Sequence, residues 1–481
     1  MRLQKRLSSE GSSDDDESVG KDYDVVIIGN GPSAILLSYF LSGNWPYYNG
    51  KPIDDPILKE RLRYVSQTKS LVLQDLEWLS EGMYDSRTMN PVSILFDHLF
   101  HPNADMLTND ESVIEWRYNP NNEVRHIVLG MGPAGGSWHY MNNSQLSVSL
   151  AQWLELPGYS YKEWFQENQY KVPNLPKLSP ITSVHPDRTH TALVGLYYMD
   201  YVKKQNMSQN FKNNVKVTSV RQCTQNNIMH WCIEGLQWVD ETTTQMFTLF
   251  SDNVALAVGA SNIPRKLYIT GEHYDFVCHA LPDIETMINQ KLPVLVVGCG
   301  LVALDAVLKL IANRIPVYHV FRRSVKDPEL ILNQLPSAYA DYLQLKPLMT
   351  GKCLNNEYYK PLPQHNVVGI LPNREVIIEH TNKMLAYKLH VNRVIILVGL
   401  LPDLSIIDNS DSLKEDPQKE FNIKTNPLDI DLYTYECRSR KGLYALGPLV
   451  GDNFVRLISG GALAITHGLF RKEYDAFEDS E

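Results

Sequence analysis

A glycine pair set between an apolar strand and a helix occurs twice in this chain, and nothing else in the sequence constrains the fold as tightly. At the first place DVVIIG, residues 24–29, runs into NGPSAILLSYFLSG. At the second, PVLVVG, residues 293–298, runs into CGLVALDAVLKLIAN. Each apolar run is unbroken, as in a strand buried on both faces of a parallel sheet. The glycines fall at Gly29 and Gly31 and again at Gly298 and Gly300, followed by Ala34 and Ala303. A strand, a Gly-x-Gly-x-x-Ala turn and a helix form a dinucleotide cradle. The first glycine permits the tight turn, the second lets the backbone approach a pyrophosphate, and the alanine keeps the helix close to its strand. Gly29, Gly31, Pro32 and Ala34 are therefore expected to hold one cofactor, and Gly298, Gly300 and Ala303 another. A plain glycine turn in an α/β core is the bland alternative.

The 481 residues exceed what one core accommodates, so two or three domains are expected. With 43% hydrophobic and 21% charged residues the composition is that of a globular protein, not a disordered, collagenous or coiled-coil chain. The longest apolar run, VIILVGLL at 394–401, is strand-sized and far short of the roughly 20 residues of a membrane helix. Forty-five basic against 55 acidic residues give a charge of −10, and no basic block offers phosphates a surface, so no nucleic-acid partner is expected. None of the six cysteines forms a C-x-x-C pair, which points to free thiols in a reducing, cytoplasmic compartment. No His/Cys cluster has metal spacing and no Ser/His/Asp arrangement is recognisable, so no metal is expected and the catalytic residues stay unassigned. Residues 1–22 are Ser, Asp, Glu and Gly around a short basic start. They lack an apolar signal core and read as a solvated, dispensable tail.

After the first cradle an acid should end a second strand roughly 20 residues on. Asp54 and Asp55 have the distance, but WPYYNGKP precedes them. The second strand is instead HIVLG from His126, which ends at Gly130, so the usual ribose carboxylate is missing and Glu123 or Asp110 is left to substitute for it. Residues 45–124 thus read as an irregular helical insertion, with helices near 57–64 and 70–80. Directly after the strand comes GMGPAGGSW; Gly135, Gly136 and Trp138 suit a backbone that comes close to a cofactor with an indole beside it. A helix is expected over 191–204, and a small β-meander over 214–223, 229–238 and 245–258. After the second cradle VYHVF ends in Arg322 and Arg323, 22 residues beyond Gly300. Arginines in place of the acid suit a 2′-phosphate, an NADP signature, unless they are merely surface charges. Asp305 in the intervening helix reads as structural. Two segments, around Gly259 and Gly399, each run strand–glycine–proline and are suited to carry the chain between two nucleotide domains. Near the C-terminus Gly451 and Asp452 precede a Gly-rich helix start. There the carboxylate either bonds cofactor hydroxyls or pairs with Arg456.

Together these motifs resemble the two-dinucleotide flavoproteins, and within them the flavin-containing monooxygenases and their Baeyer–Villiger relatives. The resemblance implies FAD on the first motif, Gly135, Gly136 and Trp138 against FAD, and NADPH on the second motif with arginines at the 2′-phosphate. More closely, VVIIGNGPSAILLSYFLSG, QDLEWLSEG, GPAGGSWHYM, IPVYHVFRRSVKDPEL, NQLP and GLYALGPLVGDNFVRLISGGALA resemble the oxidative stress-induced growth inhibitor family from about Val25 to His467. The family is linked with growth restraint, differentiation, oxidative stress and cell division. The chain departs from the monooxygenase fingerprint F-x-G-x-x-x-H: His279 is present, but His273 and Asp275 stand in the Phe and Gly places. The monooxygenases' catalytic asparagine has no clear match, Asn142 and Asn143 being only near.

The expected architecture is α/β with two Rossmann-like domains: an FAD domain from 23–264 and 401–481, interrupted by an NADPH domain at 265–400. The expected activity is an FAD- and NADPH-dependent monooxygenase acting with O₂ on a small-molecule or protein substrate. The resemblance implies a role in growth control, with protein partners from growth or cytokinesis control and an association with division structures. A flavin NADPH oxidase that releases peroxide and a non-catalytic nucleotide-binding regulator are the alternatives.

Overall fold

The computed structural model describes residues 21–478 apart from 109, 142–145, 171–186, 226–227, 261–262, 283, 288–291 and 351–355. The tail through Gly20, and Asn142 and Asn143, thus lie outside the described residues. Lys21 and Asp22, read as tail, are instead tied to the first sheet. The Asp22 amide donates to Phe250 O at 2.9 Å, and Lys21 pairs with Asp24 and Asp252.

The first sheet is built on Tyr23–Ile28, whose Val25, Val26 and Ile27 are fully buried. Burying each such side chain contributes about 1.5–3 kcal/mol. This strand lies parallel to His126–Leu129 on one side and to Thr244–Leu256 on the other. The second strand is therefore the one expected, some hundred residues beyond the first turn. Phe211–Lys212 continues the sheet beside it. The meander Val215–Gln225, Ile228–Trp238 and Thr244–Leu256 is antiparallel, and its last strand runs on into the parallel part. Leu443–Ala445, from the far end of the chain, pairs parallel with that same strand.

The second sheet is all-parallel: Val277–Cys278, Arg393–Ile396, Val294–Val297, Val317–Phe321 and Tyr359–Pro363. A three-stranded antiparallel sheet, His365–Ile370, Glu375–His380 and Ala386–His390, lies beside it in sequence. The two segments that connect the sheets pair with each other, Leu400 opposite Pro264 and Leu401 opposite Ile263. The expected crossover segments thus form one double connection. Among the described residues no helix is long and apolar enough to cross a membrane.

The insertion departs from expectation. It is framed by an antiparallel pair, Ser42–Tyr48 with Ile114–Glu123, which Pro46 and the run Asn119–Asn122 disguise as loop. Between them stand Pro56–Arg61, Leu76–Ser80 and a helix that the sequence reading missed, Pro91–Phe100. That helix packs against the C-terminal helix Val455–Glu478. The approach is so close that a Cβ at Gly460 would lie 2.3 Å from Ser93 Cα. The aromatic stretch from Trp153 to Trp164 turns inward. Trp153, Tyr159, Tyr161 and Trp164 are buried, and the last three pack on Tyr197 of the helix Thr191–Lys204. They are core.

Two buried histidines brace the second strand of each sheet. His126 Nδ1 donates to Val124 O at 2.7 Å, and its Nε2 accepts from Ser38 at 2.8 Å. His319 holds the opposite tautomer, Nε2 donating to Gly298 O at 2.7 Å and Nδ1 accepting from Tyr359 OH at 2.9 Å. Burial pushes each imidazole down to about 4. A lowered base binds its proton less readily in the folded chain than in the unfolded one. Stability is therefore unaffected above about pH 6.5, falls as the pH drops from there towards 4, and levels off below. On the order of 3 kcal/mol per histidine is at stake. Urea unfolding at pH 7 and pH 4.5 should show the fall, and His126→Gln should make it shallower.

Candidate functional site

Both glycine turns adopt the geometry the motif requires. Gly29 has φ +103° and Gly298 φ +124°. A Cβ at Gly29 would lie 2.3 Å from Ala257 O, and one at Gly298 would lie 2.2 Å from Leu397 O. Neither position accepts a side chain. Gly31 and Gly300 behave oppositely: a Cβ at either would meet nothing within 4 Å. Each of these is the N-cap of its helix, Pro32–Leu41 and Leu301–Ala312, and neither helix has a side-chain cap. The first N–H groups of both helices thus have no side-chain cap, and a helix N-terminus of this kind stabilises an anion. Ala34 and Ala303 are fully buried against their strands. The open glycine, the uncapped helix and the positive end of its dipole fit a pyrophosphate at each turn.

The Gly135–Trp138 loop closes on the first turn. The Gly135 amide donates to Asn30 O at 2.8 Å, and a Cβ at Gly136 would stand 3.0 Å from Gly31 Cα. Trp138 is half-buried and packs edge-on to Tyr198 at 6.0 Å. Asn30, which the sequence reading passed over, organises this junction. Its Nδ2 donates to Gly132 O at 2.6 Å and to Asn213 Oδ1 at 3.1 Å. It also accounts for the missing ribose acid, since a side chain at Gly130 would begin 2.1 Å from the Asn30 amide. A glycine where the acid belongs was the available signal. Neither nearby acid takes its place: Glu123 accepts from Tyr118, and Asp110 is held by Asn103 and Thr108 on the surface.

The C-terminal turn reaches the same place, for a Cβ at Gly447 would lie 2.5 Å from Ser33 Oγ. Asp452 does not hold the open position expected of it, nor does it pair with Arg456. Its carboxylate is fully buried and accepts from Thr88 (2.6 Å), Asn90 (2.9 Å), Ser93 (2.8 Å) and Tyr435 (2.9 Å). Burial raises it to about 6 despite these bonds. The side chain is spent on tying the insertion to the C-terminal helix, while Gly451 before it makes a left-handed turn at φ +94°. Arg456 instead pairs with Asp97 at 2.8 Å and Asp105 at 3.1 Å.

At the second turn Arg322 and Arg323 follow the strand Val317–Phe321 as expected, but only one is free. Arg323 pairs with Asp327 at 2.9 Å and Glu329 at 2.6 Å, whereas Arg322 is exposed and makes no ion pair among the described residues. Asp305 has a structural partner. The buried Arg188 guanidinium lies 3.1 Å from Asp305 and 2.9 Å from Asp341, a cation hidden in a Pro-rich stretch that local sequence did not reveal. His279 bonds Glu272 at 2.9 Å.

Relatives cover the whole arrangement. The chain is 37% identical to human oxidative stress-induced growth inhibitor 2, over 97% of this chain and 96% of that protein. The chain belongs to the oxidative stress-induced growth inhibitor family. Mouse growth inhibitor 1 is 36% identical over 93% of this chain and 95% of its own length. No family model matches the chain. Among solved structures, the bacillithiol disulfide reductase YpdA from Staphylococcus aureus superposes with a TM-score of 0.56 at 14% identity, covering 94% of this chain and 98% of that one. The ornithine hydroxylase PvdA from Pseudomonas aeruginosa gives 0.52 at 10% identity, covering 93% and 99%. At these identities the likeness is one of fold, that of the two-dinucleotide flavoproteins.

Proposed function

We propose that this growth inhibitor family member is an FAD-dependent, NADPH-consuming monooxygenase with a regulatory role in cell growth, differentiation or division. The observation that carries the reading is the pair of open, uncapped glycine cradles at Gly31 and Gly300 in one chain. FAD at the first would supply hydride acceptance and oxygen activation. The chain's own part is placement. Gly29, Gly31, Pro32, Ala34 and the Gly135–Gly136 turn shape the first cradle, and Trp138 flanks it. Gly298, Gly300 and Ala303 shape the second, where Arg322 binds the 2′-phosphate of NADPH. Gly451 and Asp452 shape the C-terminal turn beside the first cradle, the Asp452 carboxylate being engaged by Thr88 and Ser93. We assign residues 23–264 and 401–481 to the FAD domain and 265–400 to the NADPH domain. We place the protein in the cytoplasm, with partners from growth or division control.

The relatives' names carry the growth role, and the fold shared with PvdA is consistent with oxygenation. The sequence has no C-x-x-C pair for the dithiol chemistry of a thioredoxin reductase. The purified protein should carry FAD and consume NADPH under air. Offered amines, thiols and protein methionines, it should release less than one peroxide per NADPH. Stoichiometric peroxide whatever is offered would make it an oxidase. Bound FAD with no NADPH consumption would make it a nucleotide-binding regulator.

A further inference from the structure

We infer that Asn213 stands in for the ribose carboxylate that the second strand lacks, donating a hydrogen bond to the adenosine ribose of the dinucleotide in the first cradle. The inference deepens the FAD reading and rests on it. An acid in the usual place ends the second strand and accepts from ribose hydroxyls. Here the strand His126–Leu129 gives way to Gly130, and the Asn30 side chain occupies the room a Cβ would need. The sheet register supplies another residue at that level. Leu129 lies opposite Lys212 in a parallel pair, so Asn213 stands beside Gly130 at the carboxyl end of the sheet, the side on which dinucleotides lie. Two backbone bonds lace this segment to Gly130. The Gly130 amide donates to Lys212 O at 3.1 Å, and the Val215 amide donates to Gly130 O at 2.9 Å. Asn214 between them is left-handed at φ +57°, and its carbonyl accepts from the Trp238 amide at 2.9 Å. The backbone that carries Asn213 is therefore fixed.

The side chain is oriented as well as placed. Asn30, buried between the two cradle glycines, donates through Nδ2 to both Gly132 O and Asn213 Oδ1. Its own N–H groups are thereby spent. The same bond engages Asn213 Oδ1 and leaves Asn213 Nδ2, on an exposed side chain, with no hydrogen-bond partner among the described residues. A ribose hydroxyl accepts as readily as it donates, so an amide N–H serves where a carboxylate oxygen would. The neighbouring cation is committed elsewhere, since the Lys212 ammonium lies over the Phe247 ring, 5.2 Å from its centre. Two asparagines in series thus present one neutral donor at the place of the acid.

The test reads binding alone. The full chain, freed of flavin, is titrated by fluorescence quenching with FAD and with an FAD analogue whose adenosine ribose lacks both hydroxyls. The parent should bind the analogue roughly three- to tenfold more weakly than FAD, the effect of one neutral hydrogen bond. Asn213→Ala should weaken FAD by the same factor and bind the two ligands alike. Its unfolding midpoint should stay near that of the parent, because Asn213 is exposed and Asn30 keeps its bond to Gly132. Equal affinity of the parent for both ligands, or an Asn213→Ala variant that tells them apart as the parent does, would overturn the assignment while leaving FAD in the cradle. A parent that binds neither ligand would remove the FAD reading and this inference with it.

Discussion

Gly31→Val is expected to give a folded protein that has lost its flavin. A Cβ at Gly31 meets no protein atom within 4 Å, so the native chain accommodates the new side chain without a clash. Its backbone is extended at φ −74°, an ordinary value for valine. The volume the valine fills is the one a pyrophosphate needs as it approaches the helix N-terminus. Flavin per chain, read from absorbance after purification, should fall at least tenfold while the unfolding midpoint stays near that of the parent. Gly29→Val is the contrasting control. There the Cβ would lie 2.3 Å from a carbonyl oxygen, and the fold itself should fail. A folded Gly31→Val protein with full flavin would remove FAD from the first cradle.

Coenzyme preference should rest on one arginine. Arg322 is exposed and unpaired among the described residues, while Arg323 is held by Asp327 and Glu329. Charge-assisted bonds to a 2′-phosphate contribute about 1.5–3 kcal/mol, so Arg322→Ala should lower the NADPH-over-NADH preference roughly 10- to 100-fold. Arg323→Ala must first break its own ion pairs to matter and should change the preference much less. The ratio of kcat/KM values for the two coenzymes checks this, and equal use of both by the parent protein would remove the NADP assignment.

Much of this was readable before any coordinates. DVVIIG and PVLVVG announce buried parallel strands because no polar residue interrupts them, and the glycines that follow admit few other turns. HIVLG could be placed beside the first strand although a hundred residues intervene, because strand pairing ignores sequence distance. What escaped was non-local. Asn30 takes its meaning from Gly130, Asp452 from Thr88, Asn90 and Ser93, and Arg456 from Asp97. No periodicity or spacing links residues a hundred to more than 350 positions apart. The helix Pro91–Phe100 did have a local signal, Asn90 before Pro91 and an apolar run behind it. It was lost among the loops on either side.

The pairing of Leu443–Ala445 with Thr244–Leu256, together with the pressing of Gly447 on Ser33, has a consequence for how the protein is made. The first strand leaves the ribosome early, but the sheet it founds lacks its last member until residues 443–460 have been synthesised. The insertion likewise waits for Asp452 before its buried Ser93 hydroxyl, and for Arg456 before its buried Asp97, finds a partner. During translation the N-terminal half therefore carries an unfinished sheet edge and unpaired buried charge for most of the chain's length, the state in which nascent proteins depend on chaperones. Premature termination anywhere before the C-terminal helix should yield aggregating product, with no stable, flavin-loaded fragment.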